Sequence, residues 1–169
     1  MNSVKKMRGN RGRPLLLVDV DGVISLFGFE LDRRPAGRFL LVDGIAHLIS
    51  GTAGDHLRDL SADFELTWCT GWEEKANDYL PGALGLDGPL PYIPLTGAAL
   101  PQAHWKLGGI EEAVAPDRPV AWIDDAHDDS CTAWAAARPA PTLLVATEPA
   151  AGITTEHVAR LRAWAAQLP

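Results

Sequence analysis

The sequence predicts an α/β fold built on a central parallel five-stranded sheet with helices on both faces. Three observations predict it. Short apolar runs recur at Leu15–Val18, 64–69, 91–95, 120–123 and Thr142–Ala146. They are apolar at nearly every position, as strands covered on both faces must be. Segments with helical spacing separate them, and a parallel connection needs such a crossover.

Taken in order, the first strand runs straight into Asp19-Val20-Asp21-Gly22-Val23. Residues 24–50 then make a detour in which 39–42 and 45–49 flank Asp43-Gly44. Asp-Gly between apolar runs predicts a two-residue hairpin, hence a β-hairpin flap over the top of the sheet rather than a large cap domain. A helix over 44–49 is the competing reading. Thr52 followed by Asp55 marks a helix start, with the helix reaching about residue 62. Further helices are predicted over 73–80, 105–114, Asp129–Ala137 and 154–167. The last spaces Val158, Leu161, Trp164, Ala165 and Leu168 as a helix packed on a sheet does. Pro and Gly cluster between 81 and 101, which reads as an irregular connection around the third strand.

A chain of 169 residues, 47% hydrophobic and 22% charged, fits one domain, expected over residues 14–169. Residues 1–13 carry Lys5, Lys6, Arg8, Arg11 and Arg13 without an acid and read as a disordered basic tail. The start resembles a secretion signal only superficially, because Asp19 and Asp21 interrupt the one candidate apolar stretch. No run is long enough to cross a bilayer, so no membrane partner is expected. Of the net charge of −7, the tail holds +5, which leaves −12 on the rest. Such a body repels phosphate backbones unless a metal ion or a local basic groove compensates. Two cysteines, Cys69 and Cys131, without metal-ligand spacing fit a reduced, cytoplasmic protein, and both read as small buried hydrophobes.

The chemistry gathers at strand ends. Asp19 and Asp21, at i and i+2, point to one side, where they can share a cation or divide the work of nucleophile and acid. The second strand ends in Thr70-Gly71, the segment after the third delivers Lys106, and the fourth ends in Asp124-Asp125. In an open parallel sheet ligands bind beyond the carboxyl ends of the strands, so these groups should converge on one edge.

The order D-x-D, Thr, Lys, Asp-Asp resembles the four-motif signature of haloacid dehalogenase superfamily phosphatases. The strings WCTGWEEKAN and AWIDD look like the small branch described as the HAD domain of Swiss Army Knife RNA repair proteins. The resemblance spans 15–164 and implies a Rossmann-like sheet and phosphomonoester hydrolysis through an aspartyl-phosphate. It makes Asp19 the nucleophile and Asp21 the acid that protonates the leaving oxygen and later deprotonates water. It makes Thr70, with Gly71, a phosphoryl-binding element and Lys106 the neutraliser of developing charge. It implies Mg²⁺ held by Asp19, the backbone carbonyl of Asp21, Asp124 and Asp125, the last directly or through water.

Some residues depart from that pattern or compete within it. Val23 stands where many relatives have Thr, which is tolerable if only backbone touches phosphate there. Lys75 rivals Lys106, and Asp128 and Asp129 rival Asp125, although a helix-terminal role suits Asp129. Trp72 and Trp105 flank the Thr70 and Lys106 motifs and can stack on a nucleobase, close the mouth of the site, or simply pack. Trp68, Trp122, Trp134 and Trp164 read as core or half-buried. His104 and His127 sit beside motif residues, whereas His47, His56 and His157 read as structural or solvated.

Chain order disfavours two other phosphate-handling designs. A receiver domain places its acidic pair before the phosphorylated Asp, and a toprim nuclease needs an earlier Glu. An inactive domain that binds a phosphorylated ligand or partner is the remaining alternative. A small flap leaves the site open to large substrates, so a nucleotide or nucleic acid terminus is the expected phosphorylated substrate, with the acidic body arguing against it.

Overall fold

The computed structural model describes residues 12–95 and 103–169. Of the expected tail, residues 1–11 lie outside the described residues, as do 96–102 of the connection before Lys106. Arg13 is fixed to the body, donating to the Ser61 carbonyl at 2.7 Å.

The first strand, β1 (Leu15–Val18), is buried at all four positions, which is why it carries no polar residue. It lies between β5 (Glu65–Trp68) and β6 (Val120–Asp124), and β7 (Thr142–Ala146) adds to β6. All three pairings are parallel. Register places Val18 beside Trp68 and Ile123, so the residues that follow these three emerge together at one edge.

Alternation along β1 divides the core. Leu16 and Val18 pack with Leu57 and Leu60 of α1 (Ala53–Leu60), Leu80 and Leu84 of α2 (Ala76–Leu84), and Val158 and Leu161 of α5 (Thr155–Ala165). Leu15 and Leu17 pack on the other face with Leu107 and Ile110 of α3 (Leu107–Ala113), and Cys131 and Trp134 of α4 (Asp129–Ala137). Helices therefore cover both faces, as expected.

Among the described residues the sheet has four strands rather than the five expected. Residues 91–95 meet the β5 edge through one parallel bridge, Trp68 to Tyr92, with Trp68 donating to the Pro91 carbonyl and Ile93 to the Trp68 carbonyl, both at 2.8 Å. Pro91 and Pro94 have no N–H to extend that ladder.

The detour after β1 forms a three-stranded antiparallel sheet, one strand richer than a hairpin. β2 (Ser25–Leu26) pairs with β4 (Ile45–Ser50), and β4 with β3 (Gly37–Val42). Asp43 and Gly44 turn the hairpin with φ of 51° and 82°, the positive pair that a two-residue type I′ turn demands. The alternative helix over 44–49 does not form.

Helix ends differ from the sequence reading where local chemistry decides them. Thr52 precedes α1 but makes no side-chain cap. Glu73–Lys75 is a 3₁₀ turn, and α2 begins only at Ala76. It continues through Pro81 because Leu84 still has core to bury, then stops at Gly85 in the left-handed conformation. Asp128 caps α4, accepting from the Ser130 and Cys131 amides, and Asp129 lies in its first turn as the helix-terminal acid expected. Among the described residues no helix is long and apolar enough to cross a membrane.

Candidate active site

The parallel register delivers Asp19, Thr70 and Asp124 to the same edge from three neighbouring strands, all buried. Lys106, directly before α3, reaches in from the other side and is only 3% exposed. Its ammonium lies 2.9 Å from Asp19 Oδ1 and 2.6 Å from Asp124 Oδ2, and donates to the Cys69 carbonyl at 2.9 Å. Four segments thus meet around one cation. Asp124 is fixed further, with Oδ2 accepting from the Trp122 indole at 3.2 Å and Oδ1 from the Ala126 amide at 3.0 Å.

Charge in this cluster does not balance. Asp19, Asp124 and Asp125 offer oxygens that all lie within 4.8 Å of one another, a grouping that can hold a metal ion. Ionised, they carry three negative charges against the one positive charge of Lys106, a shortfall of two. Burial raises the Asp19 carboxyl to about 7, against the pull of Lys106 and with the push of Asp124. Asp125 is raised for the same two reasons, burial first and Asp124 second. Burial also opposes the Lys106 charge, yet its acidic neighbours, Asp19 foremost, hold it above the ordinary lysine value. A hard divalent cation among these oxygens matches both the donor chemistry and the missing charge.

A pH dependence follows. A carboxyl raised from 3.8 to about 7 keeps its proton in the folded state after the unfolded chain has lost it. Asp19 therefore costs the cation-free fold stability as pH rises across that window. Cation binding should offset this cost. Saturating magnesium is expected to raise the melting temperature by about 5–10 °C near pH 7.5 and by clearly less near pH 5. Thermal unfolding with magnesium and with chelator checks it, since surface carboxylates cancel in the difference. Equal shifts at both pH values would contradict it.

Asp21 stands apart from the three-carboxylate cluster. Its side chain is half-exposed, with Oδ2 accepting from the Trp72 indole N–H at 3.0 Å and Oδ1 3.7 Å from His47 Nδ1 of the flap. Gly22 lies between Asp21 and the cluster at φ 80°, and a Cβ there would sit 2.4 Å from Asp125 Cγ. Only glycine allows Asp125 this close to the first strand's loop. Val23 is buried in the core, with its carbonyl accepting from the Ile153 amide.

Thr70 is buried, and its Oγ1 accepts from the Trp72 amide at 3.2 Å. Gly71 is exposed, and its absent Cβ would touch the Trp105 ring at 3.5 Å. Trp105 is 51% exposed, with the Lys106 ammonium 5.3 Å from its ring centroid. Of the two flanking tryptophans, Trp105 is the half-exposed one, with the His104 ring stacked 6.3 Å away, whereas Trp72 packs against the core and meets His47 edge-on at 4.8 Å.

The rival residues lie elsewhere. Lys75 pairs with Asp43 at the flap tip, 2.6 Å away on the surface. Asp128 is engaged in capping, and its carboxyl is held low first by the Ser130 hydroxyl. Cys69 is buried, and desolvation pushes its thiol far up, so its contribution is the carbonyl that receives Lys106. His104 accepts from the Lys106 amide at 3.3 Å, and His104 and His127 both set ring edges against Trp122. Burial holds His127 below the ordinary histidine value. These two rings brace Trp122 and the Lys106 backbone.

Sequence reasoning passed over Trp122, Gly22 and His47. An indole two residues before Asp124 on a strand that reads as core gives no sign that its N–H meets that carboxylate. A concavity of about 570 Å³ between the flap base, α1 and α2 contains none of the residues above. Its arginines are committed, Arg38 to the Ala83 carbonyl and Arg58 to the Leu84 carbonyl and Asp55.

The chain matches no protein-family model and no curated protein. What the residues can do follows from their arrangement: a buried carboxylate restrained by an ammonium, a neighbouring acid pair suited to a divalent cation, and a separate, partly exposed carboxyl above them.

Proposed function

We propose that the protein is a magnesium-dependent phosphomonoester hydrolase that works through an aspartyl-phosphate on Asp19. The observation that carries this reading is the buried Asp19–Lys106–Asp124 constellation at the carboxyl ends of β1 and β6. Crowding two buried carboxylates against one lysine is costly for a fold and useful for a phosphoryl group.

In this reading an Asp19 oxygen attacks phosphorus as the bond to the leaving oxygen breaks, and Asp21 gives that oxygen its proton. Water then attacks phosphorus, passes its proton to Asp21 and releases phosphate, restoring both aspartates. Thr70 and the Gly71 backbone bind phosphoryl oxygens, and Lys106 balances the charge that develops on them. Magnesium held by Asp19, Asp124, Asp125 and the Asp21 carbonyl would supply positive charge where a phosphate dianion meets carboxylates.

The small flap and the half-exposed Trp105 ring support a large or planar leaving group, such as a nucleotide or nucleic acid end. Purified protein with p-nitrophenyl phosphate should release nitrophenol with magnesium and cease on chelation. It should then turn over a 3′-phosphorylated oligonucleotide or mononucleotide in preference to a sugar phosphate. No release under any condition would defeat the hydrolase reading, and preference for sugar phosphates would defeat the nucleotide assignment alone.

A further inference from the structure

Asp21 must deliver a proton to the leaving oxygen, yet its side chain is about half exposed, the least confined of the four carboxylates around the site. A free carboxylate samples several rotamers, and each one populated away from the substrate lowers the fraction ready to react. Two groups on the protein limit this freedom. The Trp72 indole N–H donates to Oδ2 at 3.0 Å, and His47 lies against Oδ1 at 3.7 Å.

Trp72, half-buried, is itself held by several contacts. Its amide donates to Thr70 Oγ1 at 3.2 Å, and its carbonyl accepts from the Lys75 amide at 3.0 Å. Its ring packs on the core and meets the His47 ring edge at 4.8 Å, while His47 Nδ1 hydrogen-bonds Ser25 Oγ at 2.9 Å. The next residue, Glu73, adopts φ 47°, a conformation that an L-residue takes at some cost, and this fixes the turn that presents the indole. An indole that served as a base-stacking platform would need a free face and would have no use for an N–H directed at a carboxylate.

We propose that Trp72 is a positioning residue that fixes the Asp21 carboxylate for proton transfer, holding Oδ2 through its indole N–H so that Oδ1 is the oxygen left to carry the proton. The flap contributes through His47, which braces the indole ring. The inference rests on the phosphohydrolase reading of the site and names how its acid is aimed.

Trp72→Phe keeps an aromatic ring against the core and His47 while removing the N–H donor and part of the ring volume, a loss that falls equally on every substrate. Positioning acts where a proton is needed, so the leaving group separates this role from a structural one. Nitrophenolate departs without protonation, whereas an alkoxide does not. With magnesium present, kcat/KM for glycerol phosphate is expected to fall about 30–100-fold and that for p-nitrophenyl phosphate only about threefold. Asp21→Asn should show the same pattern more strongly. As a readout apart from turnover, the Trp72 indole N–H resonance, assigned by its loss in Trp72→Phe, should shift upfield in Asp21→Asn.

Equal losses on the two substrates, or an indole resonance indifferent to Asp21, would overturn the positioning role while leaving the hydrolase standing. Wild-type protein inert towards both substrates would overturn the two together.

Discussion

Asp19→Asn is expected to lower the proposed phosphatase turnover by on the order of 10⁴-fold or more, because an amide cannot form the acyl phosphate on which both proposed half-reactions depend. The substitution is nearly isosteric, and the amide oxygen can still accept from Lys106, now 2.9 Å from Oδ1. It also removes one of two buried carboxylates that crowd a single lysine. The cation-free variant should therefore melt no lower than the wild type. Steady-state kinetics beside thermal unfolding tests both halves. Turnover within tenfold of wild type would remove Asp19 from the reaction, and a collapse in melting temperature would make the loss one of folding instead.

Lys106→Met should have the opposite balance and the largest effect on stability. It leaves Asp19 and Asp124 facing each other with no counter-charge at positions 6% and 1% exposed. Breaking a buried ion pair from one side costs about 3–5 kcal/mol. For a domain of this size that is a fall of about 6–20 °C in melting temperature. The cost should shrink towards pH 5, where Asp19, already raised by burial, escapes it by taking up a proton. Turnover should also fall about 10²–10³-fold, as when a preorganised charge is withdrawn from a transition state. Unfolding curves at two pH values with chelator present check the stability claim, and an unchanged melting temperature would show that the lysine is dispensable to the fold.

The parts of the site that the sequence made legible are those tied to strand ends. Asp19, Thr70 and Asp124 follow apolar runs whose parallel pairing left them one place to go, and Lys106 precedes a helix that packs on the same sheet. Elements defined by tertiary contact were not legible in this way. Ser25–Leu26 is too short to show a strand period, so the flap read as two strands instead of three. Residues 91–95 read as a full strand because apolarity outweighed the two prolines that limit their pairing. The Trp72 and Trp122 indoles looked like packing, because a ring's bulk is visible in a sequence and the direction of its N–H is not. The approach of Asp125 to Gly22 joins positions about a hundred residues apart, and it became apparent only once the loops had met.

The hairpin is fastened along the length of α2. Asp43 at its tip grips Lys75 just before that helix, Arg38 near its base binds the Ala83 carbonyl near the helix end, and Leu40 between them rests on the core. A cover tied down at three points is a roof rather than a door. In the proposed reaction a phosphorylated guest would then meet a standing porch beside the half-exposed ring of Trp105, and turnover would not wait for the hairpin to lift.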